Sequence, residues 1–354
     1  MQIKPYFFEQ CLAHQIPNVI SIKMQCEQKN FKIKGEFRIS RGAKIIAETI
    51  HVSLTYHFEN GDVIIGRGES VPYKRYGESC DAVKAQLESI KSEIEKGLTL
   101  KALQPLLPSG AARNAIDCAL WDVLAKYHKK SVWALLTEKE NMKPVLTAIT
   151  VSLDTAEIMA KNAHALTMAS LIKLKLSGDE QDLDRIKAVC KARPDVRLIL
   201  DANEAWRIEQ LNMFEKALRH ENIALIEQPL HADEGKALAQ YEGQLLIGAD
   251  ESAHDVSSFK HLQYYYDMIN IKLDKTGGLT EAIKLLFLAK SEGMKIMIGS
   301  MVCSSLGIAP ALIIAQEAEL ADLDGPLLLA EDMPCPIEFD GYYAALPERG
   351  LWGK

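Results

Sequence analysis

The chain has 354 residues, 48% of them apolar and 25% charged, which is ordinary soluble-globular usage and excludes a disordered, collagenous or coiled-coil chain. Its 41 basic and 48 acidic residues leave a net charge of −7, which argues against nucleic-acid binding through a basic surface. Seven widely spread cysteines with no CxxC speak against a disulfide framework or a zinc cluster, no apolar run reaches the ~18 residues of a bilayer span, and the first residues lack a signal peptide's apolar core, so a cytoplasmic protein without membrane partners is expected.

From the N-terminus, residues 1–23 match no pattern and stand apart as an extension. Between about residues 24 and 75, FKIKGEF, ETIHVSLTYHF and DVIIGRGES read as strands, with Asn60-Gly61 as the hairpin turn between the last two. Residues 80–140 read as helices: in AARNAIDCALWDVLAKYH, Ile116, Ala119, Leu120, Val123 and Leu124 recur at helical spacing. Strands followed by helices, without alternation, predict a small α+β domain over 24–140.

From residue 145 the texture changes. Eight short apolar runs, VLTAITVS, LIKLKLS, VRLILDAN, IALIEQP, QLLIGADE, DMINIKLD, KIMIGSM and LADLDG, alternate with helix-length stretches. In DLDRIKAVCKA, Leu183, Ile186, Val189 and Cys190 share a face; in TEAIKLLFLAKSEG, Thr280 is the expected N-cap and Gly293 the stop. Buried strands alternating with helices mean a parallel sheet, and eight such units predict a (β/α)8 barrel of the α/β class over 141–333. The last stretch, 334–354, loses the alternation and is expected to return to the first domain.

Polar residues end these runs: Lys175, Asp201, Glu227, Asp250, Lys272 and Asp324, at a near-constant interval that places all six on one rim. In this fold that rim carries the active site. Asp201, Glu227 and Asp250, on consecutive strands, would repel one another once desolvated, and a hard divalent cation such as Mg²⁺ resolves the conflict. Lys173 and Lys175 lie two apart and so share the interior face, while Ile172 and Leu174 point to the helices. Lys272 lies across the mouth. An ammonium near a second ammonium and a divalent cation has a depressed pKa and can act as a base. Two lysines flanking a metal suggest proton removal on one face of a carbon acid and return on the other, through a metal-stabilised enediolate. Asp322 and Asp324, two apart, suit a substrate ammonium, or else form a rim salt bridge to Lys272 or Lys275. Cys303 reads as a packed thiol, and Gly277-Gly278 as a strand-to-helix turn rather than a phosphate loop.

The motifs KLK at 173–175, DANEAW at 201–206, IEQP at 226–229, ADES at 249–252, NIKLDKTGG at 270–278 and ADLDGP at 321–326 resemble the muconate-lactonising subgroup of the enolase superfamily. With FRISRGAK at 37–44, VPYKRYGES at 71–79 and GAARNAIDCALWD at 110–122, the chain is most similar to the dipeptide epimerases, those of L-Ala-D/L-Glu above all. The resemblance covers roughly 24–350 and implies a barrel with a capping domain completed by the C-terminal tail. It implies Asp201, Glu227 and Asp250 as ligands of one Mg²⁺ and Lys175 and Lys272 as the acid/base pair, assisted by Lys173. It implies Asp322 and Asp324 as the receivers of a dipeptide's α-ammonium, and a role in cell-wall peptide metabolism. FRISRGAK matches the specificity loop, so Arg41 or Lys44 is expected to take the γ-carboxylate of a C-terminal glutamate. Many superfamily relatives carry a glutamate at the end of strand seven; here Cys303 occupies that region. An o-succinylbenzoate synthase or muconate cycloisomerase would share the metal and lysines but have no use for Asp322 and Asp324. A non-catalytic binding barrel would need neither lysine. Oligomeric state, a homo-oligomer included, is not fixed by these residues.

Overall fold

Three long antiparallel strands open the fold: β1 (Val19–Ile39), β2 (Gly42–Phe58) and β3 (Val63–Ser70), paired in that order, with the expected turn between β2 and β3. They belong to a computed structural model that describes residues 1–348 and 350–353. The strand pattern begins upstream of the expected residue 24, because Val19 already pairs with Phe58. The segment before it is folded too. The helix Pro5–Ala13 buries Phe8 against Trp121, with ring centroids 6.4 Å apart, and edge-on to Phe287 at 5.7 Å.

Of the helices Cys80–Ser89, Ala111–His128 and Val132–Thr137 that follow, Ala111–His128 packs on both this sheet and the barrel. Ala111–His128 is not simply amphipathic. Every residue from Ala111 to Ala125 is buried, Arg113, Asn114, Asp117 and Asp122 among them. It packs on β2 and β3; Arg113, Asn114 and Asp117 find partners in the barrel, and Asp122 accepts from the Arg67 N–H, Lys126 and the Gly353 N–H.

After β4 (Val145–Leu146) come eight parallel strands, one in each of the eight runs: β5 (Ile149–Val151), β6 (Leu171–Lys175), β7 (Arg197–Asp201), β8 (Ile223–Glu227), β9 (Ile247–Ala249), β10 (Met268–Lys272), β11 (Lys295–Gly299) and β12 (Leu320–Asp322). They pair in sequence order, and the Ala148 N–H donating to the Ala321 carbonyl at 2.7 Å joins the two edges into a nearly closed barrel. The helical ring is uneven: a 3₁₀ stretch, Ala232–Gln240, follows β8, and another, Gly325–Leu328, takes the place of a long eighth helix. The expected N-cap Thr280 is instead the second residue of the helix Leu279–Ser291. Its N–H donates to Asp117 Oδ2 at 2.9 Å, so the capping carboxylate comes from another helix. Gly293 ends that helix as expected, in the left-handed region at φ +76°.

The tail forms β13 (Phe339–Asp340) and β14 (Tyr343–Ala344), which pair with each other, and β14 pairs in turn with β4. It then reaches the first helices, where Trp352 Nε1 donates to the Cys118 carbonyl at 2.9 Å. Among the described residues, no helix is long and apolar enough to cross a membrane.

Candidate active site

Period two along each strand divides the barrel interior into layers. Leu171, Ile199, Leu225, Met268, Met297 and Leu320 form one apolar layer, a separate cluster from the main core. Ile172 and Leu174 belong to that main core, so they do point outward to the helices. Two residues farther along the strands the interior turns polar: Lys173, Asp201, Glu227, Asn270 and Asp322, with Lys175, Asp250 and Lys272 at the rim. Gly299 makes this possible, since a Cβ there would stand 2.7 Å from Asn270 Oδ1 and 3.0 Å from Lys272 Cε.

Lys173 is wholly buried, and its Nζ touches three carboxylates: Asp322 at 2.7 Å, Glu227 at 2.8 Å and Asp201 at 3.1 Å. Lys175 Nζ stands 2.6 Å from Asp201 Oδ2, and Lys272 Nζ 2.6 Å from Asp250 Oδ2. Asn270 Nδ2 donates to Glu227 Oε1 at 2.8 Å. Burial and the charge of Asp201 push Glu227 up to about 7. Burial alone would also raise Asp250, but Lys272, Lys275 and Lys173 hold it well below the ordinary carboxylate range.

The expected depression of the lysines depends on a divalent cation; the carboxylates by themselves act in the opposite sense. Burial would lower Lys272, and Lys173 lowers it further, yet Asp250 and Glu227 outweigh both and hold it above its ordinary value. Lys173 is raised in the same way, by Asp201, Asp322 and Glu227 against burial. The neighbouring ammonium acts in the expected sense, but carboxylates dominate.

Above this floor lies a cavity of about 660 Å³, lined by Lys175, Asp250, Lys272, Asp322 and Asp324 and roofed by the β1–β2 tip and by Tyr73 and Tyr76. Asp322 Oδ2 is paired with Lys173, not with Lys272 or Lys275, and its Oδ1 is buried without a partner. Asp324 accepts from the Thr150 N–H at 2.7 Å, and burial together with Asp322 pushes it up to about 7.

The two loop cations differ. Arg41 is engaged: its guanidinium lies 2.6 Å from Glu251 and 3.2 Å from Glu204 and donates to the Asn203 carbonyl at 3.0 Å. It ties the hairpin tip to the barrel rim rather than offering a free fork to a ligand. Lys44 makes no salt bridge among the described residues; its ammonium sits 5.1 Å from the centre of the Tyr73 ring, on the wall of the cavity. Phe37, also on the tip, places its ring 5.9 Å from Lys175 Nζ.

Sequence reasoning missed Glu251, Asn270 and Phe37, which the barrel period or the loop motif could have pointed to. Cys303 is buried, and burial raises its thiol well above the ordinary value, which leaves it inert. Gly277-Gly278 cradles no phosphate: a Cβ at either would meet Arg113 or Asp117 at 2.5 Å, so the glycines make room for the helix Ala111–His128.

Among the described residues, no three Asp, Glu, His or Cys side chains form a ready-made metal cage. Lys173 stands between Asp201 and Glu227, while Lys272 and Lys275 divide Asp250. The donor chemistry nevertheless fits a hard cation: three buried carboxylates on adjacent strands, one of them, Glu227, pushed up by burial and by the charge of its neighbour Asp201.

Residues 157–350 match the enolase C-terminal domain-like family, and residues 21–137 match the N-terminal domain of the mandelate racemase / muconate lactonizing enzyme family. The chain is 44% identical over 306 residues to L-Ala-D/L-Glu epimerase of Escherichia coli, covering 86% of this chain and 93% of that one. It is 40% identical over 292 residues to N-acetyl-D-glutamate racemase of a Pseudoalteromonas species, covering 81% and 91%. An enolase family member from Agrobacterium tumefaciens with homology to dipeptide epimerases, solved with sodium and L-Ala-L-Glu, superposes with a TM-score of 0.89 at 40% identity, covering 94% of this chain and 100% of that one.

Proposed function

This chain belongs to the enolase superfamily, in its mandelate racemase/muconate lactonizing branch, and from that premise we propose that it is an isomerase that epimerises dipeptides at the α-carbon of the C-terminal residue, with L-Ala-D/L-Glu as the substrate pair. One observation carries the reading: Lys175 and Lys272 reach the same cavity from β6 and β10, each held at 2.6 Å by a different carboxylate, Asp201 and Asp250. Two separately held lysines suit a reaction that serves both faces of one carbon. One lysine, as the free amine, takes the α-proton, and the C–H electron pair passes into the substrate carboxylate as an enediolate. The other, as an ammonium, returns a proton to the opposite face.

Asp201, Glu227 and Asp250 would hold Mg²⁺, which supplies positive charge against the developing enediolate. Lys173 neutralises the floor, and Phe37 and the hairpin tip exclude water. The test is incubation of L-Ala-L-Glu in D₂O with Mg²⁺: deuterium at the α-carbon of the inverted product supports the reading, and absence of both exchange and inversion ends it.

Asp322 and Asp324 would receive the dipeptide's ammonium. Asp324→Asn is expected to raise KM for L-Ala-L-Glu at least about tenfold with little change in the unfolding midpoint, since it leaves a buried ammonium short of a counter-charge. The ionised carboxylate is the binding form, so KM should rise as pH falls through about 7, where Asp324 takes a proton, and stay flat above it. Steady-state kinetics from pH 5.5 to 8.5 check the sign; a KM independent of pH in wild type would remove Asp324 from the ammonium site. The 40% identity to an N-acetyl-D-glutamate racemase, and the pairing of Asp322 with Lys173, favour one second reading: an N-acylated glutamate with no ammonium at all. Efficient turnover of N-acetylglutamate, with poor turnover of the free dipeptide, would select it.

For the γ-carboxylate, the cation with no acidic partner suits best, which is Lys44 rather than Arg41. Lys44→Ala should lower kcat/KM for Ala-Glu at least about tenfold, roughly 1.4 kcal/mol, and spare Ala-Ala and Ala-Leu. Arg41→Ala should lower all three together, because it loosens the tip. Wild-type preference for neutral dipeptides would remove the glutamate assignment and leave the epimerase reading in place.

A further inference from the structure

We propose that Lys275 is a positioning residue that turns Asp250 so that one oxygen alone faces Lys272, and so governs proton exchange on one face of the substrate. The proposal rests on the two-lysine reading above and deepens it.

Lys275 lies in the helical turn Leu273–Thr276 that follows β10, and its side chain is wholly buried. Its ammonium has three N–H donors and meets three acceptors: Asp250 Oδ1 at 2.6 Å, the Asp250 carbonyl at 2.5 Å and the Asn270 carbonyl at 3.0 Å. A buried ammonium with every donor engaged has nothing left for a substrate. What it does is fix geometry. The β9–β10 ladder ends at Ala249 and Ile269, so no sheet hydrogen bond holds Asp250 against the strand that carries Lys272. Lys275 supplies that tie by bridging the backbone carbonyls of Asp250 and Asn270.

It also occupies Oδ1, which leaves Oδ2 as the atom 2.6 Å from Lys272 Nζ. Lys175 answers to another carboxylate, Asp201. Loss of the Lys275 ammonium therefore falls on one side of the centre. Asp250, freed at Oδ1, is no longer turned to present Oδ2 alone to Lys272, and the lysine that serves that face loses its fixed placement. A residue important only for folding, or only for metal retention, would impair both faces alike.

Lys275→Met removes the charge and keeps most of the volume; Lys275→Gln keeps neutral N–H donors. α-Proton exchange of L-Ala-L-Glu and L-Ala-D-Glu in D₂O is followed by NMR in both variants, in wild type, and in Lys175→Ala and Lys272→Ala, with Mg²⁺ affinity read by calorimetry. The epimer whose exchange disappears in Lys272→Ala should exchange at least about tenfold more slowly than the other in Lys275→Met, and less markedly so in Lys275→Gln. Mg²⁺ affinity should stay within about threefold of wild type. Equal slowing of both epimers, unchanged exchange, Mg²⁺ binding weakened more than about tenfold, or failure of both variants to fold by circular dichroism each overturns the proposal. If Lys175→Ala and Lys272→Ala do not each spare one epimer, the two-lysine reading itself fails, whatever the Lys275 variants do.

Discussion

Lys175→Ala and Lys272→Ala should each lower epimerisation of L-Ala-L-Glu at least about 10³-fold, the upper part of the range for loss of a general acid or base. The losses should not be equivalent. Lys272→Ala leaves Lys175 against Asp201, still able to take the α-proton of one epimer and give it back to the same face. Lys175→Ala leaves Lys272 against Asp250 for the other. Deuterium should therefore enter L-Ala-L-Glu in one variant and L-Ala-D-Glu in the other, without inversion in either. Circular dichroism should show both variants folded, since the apolar layer beneath is untouched. Inversion at the wild-type rate in either variant would exclude a two-base mechanism.

The second large effect concerns the carboxylates. Chelation should abolish epimerisation, and added Mg²⁺ should restore it. Asp201→Asn, Glu227→Gln and Asp250→Asn should each cost at least about 10³ in kcat/KM, roughly 4 kcal/mol of transition-state stabilisation. The reason lies in the charge balance: Lys173 and Lys272 are held above their ordinary values by these carboxylates. Asp201, Glu227 and Asp250 would hold a divalent cation with these same oxygens, which would weaken their hold on the ammonium groups. Titration of the apo-protein with Mn²⁺, followed by electron paramagnetic resonance, measures the site independently of turnover. Full activity in excess chelator would sink the assignment.

The barrel was legible because its strands are buried on both faces and each working side chain stands where its strand ends. Lys173 and Lys175 face inward for the reason their spacing implies. The choice between Arg41 and Lys44 was not legible. The β1–β2 register shifts between Lys32 and Phe37, and such a shift redirects every side chain beyond it. Only the folded tip shows Arg41 held by Glu251 and Glu204 while Lys44 rests on Tyr73. Lys275 was hidden differently: KLDK places it three residues after Lys272, and nothing local tells that a helical turn carries it back under Asp250. Helical spacing in Ala111–His128 marked the apolar face alone, because the partners of Arg113, Asn114 and Asp117 in the segment after Lys272 lie far along the chain.

Those partners decide what can move. Arg113 donates to the Thr276 carbonyl at 2.7 Å and the Gly277 carbonyl at 3.1 Å, Asn114 to Asp274 at 2.8 Å, and Asp117 receives the Thr280 N–H at 2.9 Å. The segment just after Lys272 is thus stitched to a helix encoded some hundred and sixty residues earlier. Each such buried group, left alone, costs about 1–3 kcal/mol. A barrel expressed without residues 1–140 would carry several orphaned groups beside its base, and cap and barrel should melt as one cooperative body. Opening that admits substrate then falls to the roof, the hairpin tip with Tyr73 and Tyr76, rather than to a parting of cap and barrel. Recombination between relatives that exchanges the whole cap would therefore disturb the proton-transfer machinery itself, whereas a new tip need only keep its own ties to the barrel rim.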